Sequence, residues 1–457
     1  MSVLPTILVW AALGVAFAAA PLRAQDEPPP PAQPWGGAPG DSGVGAFLRS
    51  LSDSTDAYFG KTAAPADTAG LDSVLAYRLS NPESIALPRR RTLELPFPVI
   101  AYNRVDAAVW GARWGIGEPR GTGRLVGQLA YATGPDEWLG LGRYVRRFAT
   151  QTALWTGDLV WEKRTYRMSG DLAASSFATL RSLLNGSDRN SYLRREGPRF
   201  ELRRESQRAT LQVGYRDQLE DSLTVTELWN LLNKEPALPF NLPARPGRAR
   251  AFSFAAGVST GSWPLQVWLE HETSSRQLGS DFEYRRWRGV AGAVVPLNSW
   301  SAIALQGDYS RLELDPVSQA SFQLGGTQTL RSLKGGSLAG TRETFGRAEL
   351  VLAPNLLELA RLPHPSLLNL QISSYLASGA VWGENPYTGA DLGGDAFPDP
   401  EAWRHEIGLG LLYRPGVPDP QGFLRLDFAW PVGPHGGPRR MVLGYGNLLN
   451  LLPVIGR

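Results

Sequence analysis

Beyond residue 92 the chain alternates apolar and polar positions with a period of two, the repeat of a β-strand with one greasy face. In residues 423–430, Leu424, Leu426, Phe428 and Trp430 share one face, while Arg425, Asp427 and Ala429 share the other. Leu211, Val213 and Tyr215 likewise oppose Thr210, Gln212 and Arg216, and Ile303, Leu305 and Tyr309 oppose Gln306 and Asp308. Residues 405–414 set Ile407, Leu409, Leu411 and Tyr413 against Glu406, Gly408 and Gly410. About fifteen such strands can be counted, each near the length a tilted membrane strand needs. Tight connections at 206–208 and 296–298 change places with long ones at 171–197, 219–247 and 314–341. Lipid tolerates no unpaired backbone polar groups, so strands cross a membrane only as a closed barrel, with an even strand count in single-chain bacterial examples. The expectation is therefore about 16 strands, with 14 as the smaller alternative. The missing strand falls at residues 95–100, where two prolines suit a seam. A soluble β-protein that buries its apolar face against a second sheet is the competing reading.

Composition narrows this. Residues 1–24 read as a signal peptide whose apolar core, residues 7–20, is too short to span a bilayer as a helix. Residues 25–91 are rich in Pro, Ala, Gly, Asp and Ser and read as a flexible periplasmic leader with a weakly helical stretch at 71–79; residues 92–457 form the barrel domain. With no cysteine, lipoprotein anchors, disulfides and thiolate metal sites are excluded. A net charge of +3 from 46 basic and 43 acidic residues is no nucleic-acid-binding surface. The 15 Trp and 14 Tyr are side chains that settle at membrane interfaces, and a mean hydropathy of −0.20 argues against helical spans.

One loop carries a motif. Residues 324–336, Leu-Gly-Gly-Thr-Gln-Thr-Leu-Arg-Ser-Leu-Lys-Gly-Gly, place Gly325, Gly326, Gly335 and Gly336 around a single arginine, Arg331, ahead of a strand bearing Arg347 and Glu349 on one face. This resembles the sixth-loop motif and following strand of the BamA-type barrel superfamily, the bacterial surface antigens, whose members insert or export outer-membrane proteins. The resemblance spans residues 92–457, with five strands after the loop; segments 103–106 and 191–197 add weaker matches. It implies that the loop folds into the barrel and offers Arg331 to an acidic group on the inner wall. Glycines let the backbone turn in a confined lumen, and a buried guanidinium needs a carboxylate. Three features depart from the pattern. Ser332 and Leu333 follow the arginine instead of Gly and an aromatic, Ala377 stands where an aspartate is usual, and the last residue is not aromatic. Glu349 offers itself as the substitute partner. The leader has no room for a series of POTRA domains, the family's substrate-handling modules.

Enzyme signals are weak, and no catalytic function, cofactor or metal is expected. Residues 257–261 match G-x-S-x-G, but that elbow needs a strand-turn-helix, and here a strand runs into a hairpin. A serine and a histidine could still meet on a barrel's outer wall, with His271, His364, His405 and His435 available as base. Glu270, His271 and Glu272 cannot ligate one metal from a strand, because neighbours point to opposite faces. Arg89, Arg90 and Arg91 solvate the leader or touch head groups, and the glycosylation-like residues 185–187 read as a loop turn.

The sequence thus reads as all-β: a transmembrane antiparallel β-barrel of about 16 strands with an inward-folding glycine-rich loop, in the bacterial outer membrane. The expected role is outer-membrane protein insertion, export or envelope assembly at a weak seam where Leu95 to Ile100 would meet Met441 to Asn447, a segment that includes Tyr445. The expected partners are outer-membrane lipid and envelope assembly proteins, and no nucleic acid. A passive pore or structural surface barrel is the alternative, and a barrel-borne lipid hydrolase a third.

Overall fold

The computed structural model describes residues 92–447, with gaps at 118–122, 151, 169–178, 180–181, 184–187, 189, 207, 227–228, 232–240, 260–264, 299, 353–354, 363–369, 395 and 414–421. The signal peptide, the leader with its three arginines, His364, residues 185–187 and the C-terminal residue lie outside the described residues.

Eighteen strands follow in chain order: β1 (Thr92–Asn103), β2 (Ala107–Gly117), β3 (Gly123–Ala132), β4 (Glu137–Ala149), β5 (Leu154–Arg167) and β6 (Tyr192–Glu205). Next come β7 (Ala209–Ser222), β8 (Gly247–Ser259), β9 (Leu265–Ser274), β10 (Tyr284–Asn298), β11 (Ser301–Leu314) and β12 (Phe322–Leu324). The chain continues with β13 (Leu338–Gly340), β14 (Arg342–Leu352), β15 (Leu370–Trp382), β16 (Arg404–Tyr413), β17 (Gly422–Val432) and β18 (Arg440–Asn447). Sixteen form one sheet in sequence order, antiparallel throughout; β12 and β13 pair apart as a small hairpin. Each strand is joined to its neighbour in sequence, the simplest topology an up-and-down barrel has.

The faces are inverted relative to a soluble protein. In β17 Phe428 is 41% exposed, while Arg425 and Asp427 are buried. Trp110, Leu129, Trp138, Leu159, Trp161, Phe200, Val213, Phe254, Leu269, Leu376, Ile407 and Leu409 are all exposed on the outward face, whereas Glu162, Glu220, Asp308, Arg347, Glu349 and Glu406 are buried within. Water rejects that arrangement and acyl chains favour it. On the inner wall the charges satisfy one another: Glu220 accepts from Arg195 at 2.9 Å and from Arg216 at 2.6 Å, and Arg288 meets Asp308 at 2.8 Å.

The sheet curls on itself. Tyr387, in the connection after β15, packs against Tyr166 of β5, Leu193 of β6, Met168 and Ala244. Since β5 and β15 are half the sheet apart, only a rolled sheet brings them together over one mouth. The described parts of the long connections after β5, β7, β11 and β15 lie at that end; Thr92 lies at the other, with tight turns such as the one closed by Ser206 N–H on the Ala209 carbonyl.

Three loop boundaries differ from the sequence reading. Residues 192–197 belong to β6, 219–222 to β7 and 296–298 to β10. Arg194 and Glu196 interrupt the apolar alternation because those strands continue past the lipid, where outward positions turn polar.

Candidate functional site in the lumen

The β12–β13 hairpin forms the neck of a loop whose tip, residues 325–337, enters the barrel. Gly325, Gly326 and Gly336 have φ of 117°, 99° and 66°, a region that side chains avoid. A Cβ on Gly325 would also stand 2.3 Å from the Lys334 carbonyl oxygen. Gly335 needs neither allowance: its φ is not positive and a Cβ would meet nothing. Leu324 and Leu330 bury themselves against Phe345, Tyr375, Ala377 and Val381 of the inner wall, and Leu333 packs alongside.

This apolar footing holds Arg331, 1% exposed, against the last strands. Its guanidinium Nη1 donates to Asp427 Oδ1 at 3.1 Å, and its Cζ lies 4.6 Å from the centre of the Tyr375 ring. The Arg331 and Ser332 backbone N–H groups donate to the two oxygens of Glu406 at 2.9 and 2.6 Å. Loop carbonyls are taken up by further arginines: Arg347 of β14 donates to Thr329, and Arg440 of β18 to Leu333. The tip is thereby tied to β14, β16, β17 and β18 by charge-assisted bonds, which are stronger than neutral ones.

Glu349 is not the hydrogen-bonded partner of Arg331. It accepts from Arg425 Nη2 at 2.7 Å, and Arg425 also binds Asp427, so the hydrogen-bonded link from Glu349 to Arg331 runs through that shared aspartate. This pairing follows from the strand register. Ala377 stands directly across from Glu406, so the carboxylate missing at Ala377 is supplied one strand later. The aromatic missing after Arg331 is replaced in the same way by Tyr375, whose ring covers Gly408, where a Cβ would stand 2.3 Å from it. Glu406, Asp427, Tyr375, Arg425 and Arg440 were thus absent from the expected site, although alternation had already turned Glu406, Arg425 and Asp427 inward.

A second buried cluster joins the two weaker sequence matches at the mouth. Arg194 Nη2 meets Asp106 Oδ1 at 3.2 Å and Nη1 donates to Thr165 at 2.6 Å; Arg194 also pairs with Glu137. The Arg104 N–H donates to Asp188, and Asn241 replaces strand pairing by accepting from the Tyr192 N–H at 2.8 Å while donating to its carbonyl at 2.9 Å. Burial lowers the pKa of the Arg104 guanidinium, with Asp188 opposing that shift.

The remaining expected residues sit at the sheet's edges. Leu95 and Ile100 lie on β1, with Leu95 inside the register shift between Glu94 and Phe97; Met441 and Tyr445 lie on β18 across from Phe428 and Leu424. Ile100 and Met441 are 72% and 67% exposed. Among the described residues β1 and β18 share no ladder. The Tyr102 N–H donates to Thr179 Oγ1 and the Ala108 N–H to Thr133 Oγ1, so the Tyr102–Ala108 pair is not hydrogen-bonded and Tyr102 points its backbone away from β2. Pro98 shares that parity, so its missing N–H lies on the free edge.

Among the described residues no group of three or more His, Asp or Glu side chains is arranged to hold a metal ion. Glu270 and Glu272 pair with Arg286 and Arg216, while His271 stacks on Trp287 on the other face. Ser259 ends β8. On the outward face Ser378 Oγ lies 2.8 Å from His405 Nδ1, but among the described residues no carboxylate orients that imidazole and Ser378 is 5% exposed.

No protein-family model matches this chain, and no curated protein does. Among solved structures, BamA from Haemophilus ducreyi lacking POTRA domains 1–3 is 14% identical, with a TM-score of 0.48 over 78% of this chain and 69% of that one. CdiB from Acinetobacter baumannii is 12% identical, with a TM-score of 0.42; the match covers 79% of this chain and 59% of CdiB. The outer membrane protein OprD from Pseudomonas aeruginosa is 15% identical, with a TM-score of 0.33 over 79% and 95%. The barrel assignment rests on the strand order and the facing of residues described above.

Proposed function

We propose that the chain is an outer-membrane barrel of the BamA-like superfamily that acts on other envelope proteins, in their insertion, export or assembly, at the edge between β1 and β18. The observation that carries this reading is the docking of the Arg331 loop onto β16, β17 and β18, the strands that end at that edge. A loop tied there holds the last strands in place from inside and leaves the edge as the part free to open. Pro98 weakens the same edge by withdrawing a ladder donor. The partners are membrane lipid and proteins of the outer membrane or periplasm, and the reading assigns the chain no enzymatic step, cofactor or nucleic acid.

The test uses the absence of native cysteine. Cysteine pairs placed with one member at Val99 to Tyr102 and the other at Met441 to Gly444 are oxidised in cells that depend on the protein. Outer-membrane assembly is expected to fail when the edge is locked and to recover on reduction; assembly unaffected by a demonstrated cross-link contradicts the proposal. A passive pore is the second reading, and steady single-channel conductance through the unmodified protein would favour it.

A further inference from the structure

We propose that the outward face of β4, β5 and β6 holds the phosphate of an anionic phospholipid between Arg146 and Arg204, at the end of the barrel with the tight turns. The register puts Phe148, Trp155 and Arg204 in one outward row and Arg146, Gly157 and Leu202 in the next. In the same two rows β7 presents Leu211 and Val213, across from Arg204 and Leu202, and β3 presents Gly123 across from Arg146, none of them charged. A charge facing hydrocarbon is costly at the midplane and nearly free at the interface, so two arginines on this face mark the level of the head groups.

Among the described residues no carboxylate neutralises either arginine. Three other outward arginines do have carboxylates: Arg248 and Arg250 share Asp217, and Arg311 meets Glu313 at 2.9 Å. Among the described residues Arg146 and Arg204 form no ion pair, and Arg204 instead lies over the Trp155 ring at 5.9 Å. Trp155 stacks on Phe148, with ring centres 6.0 Å apart and planes 5° apart. Between the arginines stands Gly157, where a Cβ would meet only the Arg146 carbonyl oxygen, at 4.0 Å. The β4 and β6 backbones are about 10 Å apart across β5, and the bare backbone at Gly157 leaves a slot within the length of both arginine side chains. A phosphate there accepts from two guanidiniums. The Phe148–Trp155 stack then lies against the glycerol and upper acyl chain, the level at which aromatics settle.

This inference needs only the lipid-facing reading of the outward face and is independent of any role in assembly. The full chain, reconstituted in bilayers of mixed phosphatidylethanolamine and phosphatidylglycerol and then extracted, is analysed by native mass spectrometry for retained lipid. Retention favouring phosphatidylglycerol on the order of tenfold is expected, as two interfacial arginines supply. That preference should vanish in Arg146→Gln/Arg204→Gln and survive in Arg285→Gln at the other end of the wall. Equal retention in the parent and the double variant, or displacement of the lipid by inorganic phosphate at matched concentration, overturns the proposal. Failure of the chain to enter any bilayer would overturn the outward-face reading and this site with it, whereas insertion with no lipid preference overturns this site alone.

Discussion

Arg331 and Asp427, 96 residues apart in the chain, meet at 3.1 Å inside the barrel with side chains 1% and 3% exposed. Asp427 also receives Arg425, so one carboxylate joins the loop to the wall's own ion network. Three carboxylates, Glu349, Glu406 and Asp427, thus face four arginines, and the loop's carbonyls take the surplus donors.

Arg331→Ala should release the loop and strand Asp427 and Glu406 among fewer donors. Removing one member of a buried pair costs about 3–5 kcal/mol. The loss is read as a lower temperature at which the barrel loses its compact form on a gel, with Arg331→Lys falling between.

A double-mutant cycle distinguishes the two acidic residues. Arg331 with Asp427 should give a coupling of roughly 1–3 kcal/mol, and Arg331 with Glu349 much less, because Glu349 touches Arg425 instead. Equal couplings would contradict the assigned pairing.

Much of this could be read from the residues themselves. Two-residue alternation is local, so it revealed the facing and about fifteen of the strands, because every outward Leu or Trp must meet lipid; the sixteenth came from the even count of closed barrels. Pairing across the lumen is not local. Nothing near Arg331 in sequence names Asp427, and the exchange of Ala377 for Glu406 becomes visible only when the register sets them side by side. Strand ends also escaped notice where Arg194 and Glu196 stand beyond the lipid and alternation loses its cause.

Gly408→Ala should destabilise the barrel by roughly 1–3 kcal/mol, since a new methyl meets the Tyr375 ring. Combining it with Tyr375→Leu should recover part of that loss, measured by thermal unfolding in detergent.

Asn241→Ala should loosen the mouth without touching the lumen loop. It leaves the Tyr192 and Leu223 backbone groups unsatisfied, each at about 1–3 kcal/mol. Faster proteolysis within residues 223–246 is the expected readout, with the heat stability of the wall little changed.

The most direct test of the whole account is a nitroxide scan of single cysteines through residues 424–430 in a bilayer, made clean by the absence of native cysteine. Labels replacing Leu424, Leu426, Phe428 and Trp430 should be relaxed by oxygen dissolved in lipid, and those replacing Arg425, Asp427 and Ala429 should not. Relaxation of the first set by a water-soluble agent, or no alternation at all, would contradict a barrel whose apolar face meets acyl chains.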